Sequence, residues 1–211
     1  PGYGDRLVSS TDNSIYQVLP QAIAFPRGTD DLVRIARVAA EPRFAGLVLA
    51  PRGGGTGTNG QSLTEGLVVD VSRHMTRILE IDPAGGWVRV QAGVVKDQLN
   101  AALAEHGLFF PPELSTSNRA TIGGMVSTDA CGQGSCLYGK TRDHVLELTT
   151  VLLDGTPVEA LVDTGARGTV LTEVAAARAG LDPAGRGVTH GAEGTAMALR
   201  TAVVREMRLG W

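Results

Sequence analysis

The stretch Pro51-Arg52-Gly53-Gly54-Gly55-Thr56-Gly57-Thr58-Asn59-Gly60 limits what this chain can fold into more than any other segment. An apolar run, Leu47-Val48-Leu49-Ala50, leads directly into it and reads as a strand that ends in a glycine turn. Glycine takes positive φ without a steric penalty and lets the backbone approach a ligand with no Cβ in the way. Successive N–H groups in such a turn can converge on one anion. Thr56 and Thr58 add hydroxyl donors and Arg52 adds a positive charge at the rim. The segment therefore reads as a pyrophosphate cradle, with a flexible glycine-rich surface loop as the alternative.

Two familiar nucleotide patterns occur in the chain, and both fail on context. Gly55, Gly57 and Gly60 satisfy Gly-x-Gly-x-x-Gly, but that fingerprint must open a helix that receives the pyrophosphate. Here a polar turn and the β-rich Leu67-Val68-Val69-Asp70-Val71 follow instead. Gly134-Ser135-Cys136-Leu137-Tyr138-Gly139-Lys140-Thr141 satisfies the P-loop pattern, which must leave a strand and open a helix. The residues before it are small and polar, and the β-branched run after it ends in the turn pair Asp154-Gly155. Asp154 thus sits on the very next element, with no room for a parallel crossover.

At 211 residues, 43% hydrophobic and 19% charged, the chain has the material for one domain or two small subdomains. A net charge of -3 with no basic stripe argues against nucleic acid. No run reaches the length of a membrane span, and no signal-peptide pattern is present. Only Cys131 and Cys136 occur, too few for a secreted disulfide scaffold and without a second Cys/His pair for zinc. A reducing, cytoplasmic setting follows. The chain begins at Pro1 without a methionine and is expected to be a piece of a longer polypeptide.

Elsewhere the pattern is α+β. Residues 22–25 read as a short strand closed by Pro26, and Thr29 is expected to cap a helix carrying Asp30 and Asp31 in its first turn. Leu32, Ile35, Ala36 and Ala39 continue it at helical spacing as far as Pro42. Residues 68–71, 78–81 and 88–91 read as strands, the last two joined through Asp82-Pro83-Ala84-Gly85-Gly86. A helix with Val95, Leu99, Ala102 and Leu103 on its apolar side ends at Gly107. Residues 3–18 read as an irregular lead-in, and residues 109–140 as a long, weakly structured segment of the kind that binds a ligand. Residues 145–153 read as a strand, 171–179 as a helix, and 191–195 as a turn before an apolar run.

Pro51 to Gly60, Val90-Gln91-Ala92-Gly93-Val94, Pro111-Pro112, Ala120-Thr121-Ile122-Gly123-Gly124, Tyr138-Gly139-Lys140-Thr141-Arg142-Asp143 and Gly191 to Thr195 occur in an order that resembles the FAD-binding domain of the vanillyl-alcohol oxidase / p-cresol methylhydroxylase family. The variant from Ile122 to Gly134 is most similar to bacterial FAD-linked D-2-hydroxyacid dehydrogenases, especially the large D-2-hydroxyglutarate dehydrogenases with an added iron–sulfur module.

The resemblance implies an α+β fold of two subdomains, about 1–93 and 94–211, holding FAD between them. It implies that Arg52, Gly53, Gly54, Gly55, Thr56, Gly57 and Thr58 bind the pyrophosphate. Pro112, Glu113, Ser115, Thr116, Gly123, Gly124, Ser127, Thr128, Ala130, Cys131 and Gly139 would line the ribityl chain and ring, and Glu193, Gly194 and Leu199 the adenosine end. Thr56 occupies the place where some members carry a flavin-linked histidine, which implies non-covalent FAD. Hydride would pass from a hydroxyacid α-carbon to flavin N5 and electrons onward to an acceptor, with the substrate shell and any iron–sulfur cluster outside this chain.

The catalytic base is not identified. His74 and His106 read as surface or cap residues, His144 as a structural hydrogen-bonding residue, and Cys131 as a small packing residue rather than a redox thiol. A non-catalytic flavin-binding module, a P-loop hydrolase and a smaller flavin reductase acting on a cell-wall precursor are the alternatives.

Overall fold

The computed structural model describes residues 2–152, 155, 157–161, 183–190 and 196–202. The chain forms two compact units, Pro1–Thr164 and Gly165–Leu209. The expected subdomain boundary at 93/94 falls inside the first. The helix expected at 171–179 and the turn at 191–195 lie outside the described residues.

Unit 1 opens with α1, Tyr3–Val8, where an irregular lead-in was expected. A helix this short is marginal in isolation. Its C-terminal end is held by the following segment: Ser9 and Ser10 are buried, Val18 N donates to the Ser10 carbonyl at 2.8 Å and Gln17 Nε2 to Ser10 Oγ at 3.3 Å. Three parallel strands follow, β1 (Ala22–Ala24), β2 (Leu49–Arg52) and β3 (Leu67–Asp70). Their order is β1-β3-β2, so the last strand in sequence lies between the other two. β3 pairs Val68 with Ile23 on one side and with Ala50 on the other, and all three residues are buried. The central strand β3, paired on both edges and buried from Val68 to Asp70, carries the near-continuous apolar run expected there.

The crossover between β1 and β2 contains α2, Thr29–Ala39. Gly28 is its N-cap and Thr29 its first helical residue, one position from the expected cap. No side chain caps the helix; Asp31 instead accepts the backbone N–H of Arg27 at 3.0 Å.

An antiparallel hairpin of β4 (Ile78–Asp82) and β5 (Trp87–Val90) comes next. Its turn is closed by Asp82 Oδ1, which accepts from Ala84 N and Gly85 N, and by Gly86 at φ 68°. Helix α3, Lys96–Ala104, places Val94, Leu99 and Leu103 in a cluster with Ile78, Ile81, Val88, Val90, Leu108, Phe110 and Ile122. Gly107 stops it at φ 70°, with Leu108 N returning to the Leu103 carbonyl.

The segment expected to be weakly structured contains α4 (Ile122–Thr128) and α5 (Ser135–Tyr138), followed by a 3-10 turn, Thr141–His144. The hairpin of β6 (Glu147–Val151) and β7 (Pro157–Leu161) follows, turning at Gly155 with φ 81°. An antiparallel partner directly after the P-loop-like residues excludes the NTPase arrangement, as does α5 starting without a strand ahead of it. Unit 2 holds an antiparallel pair, β8 (Pro183–His190) and β9 (Ala196–Ala202). β9 falls in the apolar run that follows residues 191–195, and β8 carries Gly185 and Gly187 within its strand.

Candidate cofactor-binding site

The glycine turn leaves the carboxyl end of β2, the end of a parallel sheet at which ligands bind in open α/β architectures. The Arg52 carbonyl still accepts Val71 N at 2.9 Å, and the chain then departs from the sheet. From Gly53 through Thr58, no backbone N–H donates to an acceptor among the described residues. Unpaired successive amides on a turn form an anion nest. Gly55 takes φ 63°, a left-handed conformation that favours glycine.

The turn is held in place by the segment around residue 120. A Cβ on Gly53 would run into the Thr121 hydroxyl, and one on Gly54 into the Arg119 carbonyl oxygen. Glycine at these positions therefore serves close backbone packing between two sequence motifs. The 120 segment is itself pinned: Lys96 N donates to Ala120 O at 3.0 Å, Ile122 N to Val94 O at 2.8 Å and Gly123 N to Ala92 O at 2.8 Å. Thr121 is buried, caps α4 and accepts Gly124 N. The two glycines of α4, costly inside a helix by about 1 kcal/mol each, concealed it from a periodicity reading. Gly123 has a packing reason, because a Cβ there would lie 2.8 Å from the Ala92 methyl.

The remaining expected site residues of unit 1 lie between Pro112 and Gly139. Pro112 is fully buried, while Glu113 and Ser115 are exposed. Glu113 and Cys131 belong to adjoining strips, since a Cβ on Gly132 would collide with the Glu113 carbonyl. The backbone N–H groups of Glu113, Ser115 and Thr116 have no acceptor among the described residues. Ser127 and Thr128 donate their hydroxyl protons to the Gly123 and Gly124 carbonyls, so toward a ligand they offer acceptor oxygens. Ala130 is fixed by Thr141, whose buried hydroxyl donates to its carbonyl at 2.6 Å. Asp129, at φ 46°, accepts Arg142 N and lies 3.8 Å from Lys140 Nζ and 3.6 Å from Arg142 Nε. Gly139 turns the chain at φ 79°.

Two residues depart from expectation. Arg52 is not at the rim: it is 9% exposed, and its guanidinium donates to the Thr11 carbonyl at 2.7 Å and to Ser62 Oγ at 3.4 Å. Burial lowers its pKa, Asp70 and Asp12 oppose that shift, and Arg119 adds to it. Alternation along β2 turns Arg52 to the covered face, a consequence of its being the last strand residue and not the first loop residue. Cys131, expected to be buried, is exposed, as is Cys136, and neither forms a disulfide. The exposed histidines 74 and 106 match their surface reading. The His144 ring bonds the Tyr138 carbonyl at 2.6 Å and packs edge-on to Phe110, a structural role. Glu193 and Gly194 lie outside the described residues, and Leu199 is placed only as part of β9.

Arg119 was missed in the sequence. It is exposed, and its Nη2 donates to the Gly54 carbonyl at 3.3 Å. No local pattern links positions 54 and 119; only the fold does.

A mixed α+β unit with a glycine nest at a strand terminus, packed on a second small-residue motif, defines a nucleotide-cofactor domain. Residues 20–161 match the family described as FAD binding domain, and the chain belongs to that family. Its residues fit the cofactor, since FAD carries two phosphates and the loop offers amide donors with no acceptor among the described residues. The chain is 69% identical over 159 residues to D-2-hydroxyglutarate dehydrogenase of Pseudomonas putida, covering 75% of this chain and 16% of that protein. It is 65% identical over 153 residues to the Escherichia coli protein of the same name, covering 72% of this chain and 15% of that one. The solved structure of 6-hydroxy-D-nicotine oxidase from Arthrobacter nicotinovorans superposes with a TM-score of 0.63 at 26% identity, covering 76% of this chain and 34% of that one. The fold is thus the vanillyl-alcohol oxidase / p-cresol methylhydroxylase type.

The chain spans about one-sixth of the dehydrogenases' length. A second family, described as aspartyl protease, matches residues 149–211. The two matches overlap on the β6–β7 hairpin. Glu193, Gly194 and Leu199 fall beyond the FAD binding domain match and inside the second one.

Proposed function

We propose that residues 20–161 form the FAD-binding part of a flavin-dependent D-2-hydroxyacid dehydrogenase whose substrate is D-2-hydroxyglutarate. The observation that carries the cofactor site is the run of unpaired amides from Gly53 to Thr58, held against Arg119–Thr121. The identity to the dehydrogenases supports the substrate. Bound FAD supplies the hydride acceptor, and the protein supplies binding, orientation and electrostatics. Gly53 to Thr58 hold the diphosphate; Pro112 to Thr116 and Gly123 to Cys131 enclose the ribityl chain and ring, with Ser127 and Thr128 as acceptors for ribityl hydroxyls. Thr56 carries a hydroxyl in place of the imidazole that forms the histidyl–flavin link, so FAD is dissociable; flavin staying with acid-precipitated protein is the outcome that excludes this. The two unpaired cysteines support a reducing, cytoplasmic setting. The substrate shell and the route to an electron acceptor belong to other parts of a longer polypeptide.

The test uses the full-length polypeptide containing this domain. Adding D-2-hydroxyglutarate under anaerobic conditions is expected to bleach its flavin absorption. Flavin that binds but is reduced by no D-2-hydroxyacid indicates a non-catalytic module.

The match over 149–211 favours a second reading for the remainder of the chain, an aspartyl-protease-like unit. That chemistry uses two carboxylates sharing one proton. The aspartates of this stretch are Asp154, Asp163 and Asp182, all outside the described residues. Cleavage of casein in acid, lost in Asp163→Asn, is the expected outcome; no cleavage between pH 3 and pH 7 excludes this reading.

A further inference from the structure

Arg119 combines four features. Its guanidinium is exposed beside the glycine nest, bonded to the Gly54 carbonyl at 3.3 Å. Its backbone is fixed, since Arg119 N donates to Thr116 O at 2.8 Å and Arg119 O abuts Gly54. It has no carboxylate partner among the described residues, in contrast to Arg142 and Lys140, which face Asp129. It also lies close enough to Arg52 to act against that residue's charge. Two guanidiniums thus flank one loop of unpaired amides. Asp70 and Asp12 compensate the inner one, Arg52, and no carboxylate among the described residues pairs with the outer one. Holding like charges together costs free energy unless an anion returns it, and guanidinium pairs with phosphate through parallel N–H donors.

We propose that Arg119 is the cation that clamps the cofactor's diphosphate from the open side of the nest, with Arg52 supporting the loop from beneath. The inference rests on the FAD reading. The ligand chemistry is a nucleoside diphosphate: the nest receives one face of the anion and Arg119 covers the face toward solvent. Arg119 then links loop geometry to charge, because the same side chain that holds the Gly54 carbonyl meets the phosphate oxygens.

The test compares FAD, ADP and riboflavin on the full 211-residue chain, by fluorescence titration of wild type, Arg119→Gln and Arg119→Lys. Loss of a charged hydrogen bond predicts about 10- to 100-fold weaker binding of FAD and of ADP in Arg119→Gln. Riboflavin, which has no phosphate, is expected to bind both proteins alike. Arg119→Lys, which keeps the charge and loses the parallel donors, restores part of the FAD affinity, and FAD binding by wild type weakens with salt more steeply than binding by Arg119→Gln. Equal weakening for FAD and riboflavin, or unchanged FAD affinity, overturns the clamp and leaves the FAD reading intact. Wild type that takes up neither FAD nor ADP removes the cofactor reading and the clamp together. A thermal midpoint for Arg119→Gln within about 2 °C of wild type confirms that folding is not what changed.

Discussion

Replacing Gly54 by alanine tests the packing that positions the cradle. An ideal Cβ at this position overlaps the Arg119 carbonyl oxygen and sits 2.8 Å from its carbon. Backbone cannot swing aside as a flexible side chain can. The 120 segment is tied on its other side by Lys96 N, Ile122 N and Gly123 N, so the glycine loop is the part that must move. Overpacking of this kind costs about 1–3 kcal/mol. For a domain of this size each kcal/mol lowers the melting temperature by roughly 2–4 °C, so a fall of about 2–12 °C is expected. The nest opens with it, and FAD affinity should drop about tenfold or more, since each 1.4 kcal/mol is a factor of ten. Gly4→Ala is the control: Gly4 lies within α1 with open space around it, and alanine there should be neutral or stabilise by about 0.5–1 kcal/mol. The assay is thermal unfolding followed by circular dichroism, then FAD titration at 10 °C. Gly54→Ala melting within about 1 °C of wild type and binding FAD equally would refute the packing argument.

Three other outcomes follow from the same structure. Arg52→Met strips the Thr11 carbonyl and Ser62 of their donor inside the fold, so it should destabilise by about 2–4 kcal/mol and speed amide exchange around residues 10–17; exchange unchanged there contradicts the inward placement. Thr141→Val keeps the volume and loses the hydroxyl bond to Ala130, which should lower the urea midpoint by an amount equivalent to about 1–2 kcal/mol; an unaltered midpoint shows that Ala130 is held otherwise. Both cysteines should react with a thiol dye in the native protein, with saturating FAD slowing Cys131 and not Cys136; equal protection of both, or of neither, contradicts the assignment of Cys131 to the flavin side.

Much of unit 1 was legible because its signals are local. Alternation and apolar runs marked β1 to β6, spacing marked α2 and α3, and Asp82 to Gly86 announced a hairpin. The glycine nest was legible for the same reason: free amides on a turn are a property of contiguous residues. Helix α1 escaped because its stability comes from Ser9, Ser10 and other tertiary contacts, not from an amphipathic pattern. Helix α4 escaped because Gly123 and Gly124 argue against helix, while the reason for Gly123 is Ala92, thirty-one positions earlier. The inward placement of Arg52 and the contact of Arg119 with Gly54 needed the fold: which face of β2 is covered, and what lies against Gly54, depend on residues remote in sequence.

The most direct test is a visible absorption titration of the 211-residue chain with FAD. The account predicts saturable uptake at one equivalent, with the flavin bands shifted and structured relative to free FAD. It further predicts that ADP competes, because the unpaired amides of Gly53 to Thr58 recognise the diphosphate. A folded protein whose addition leaves the FAD spectrum unchanged at all concentrations would contradict it.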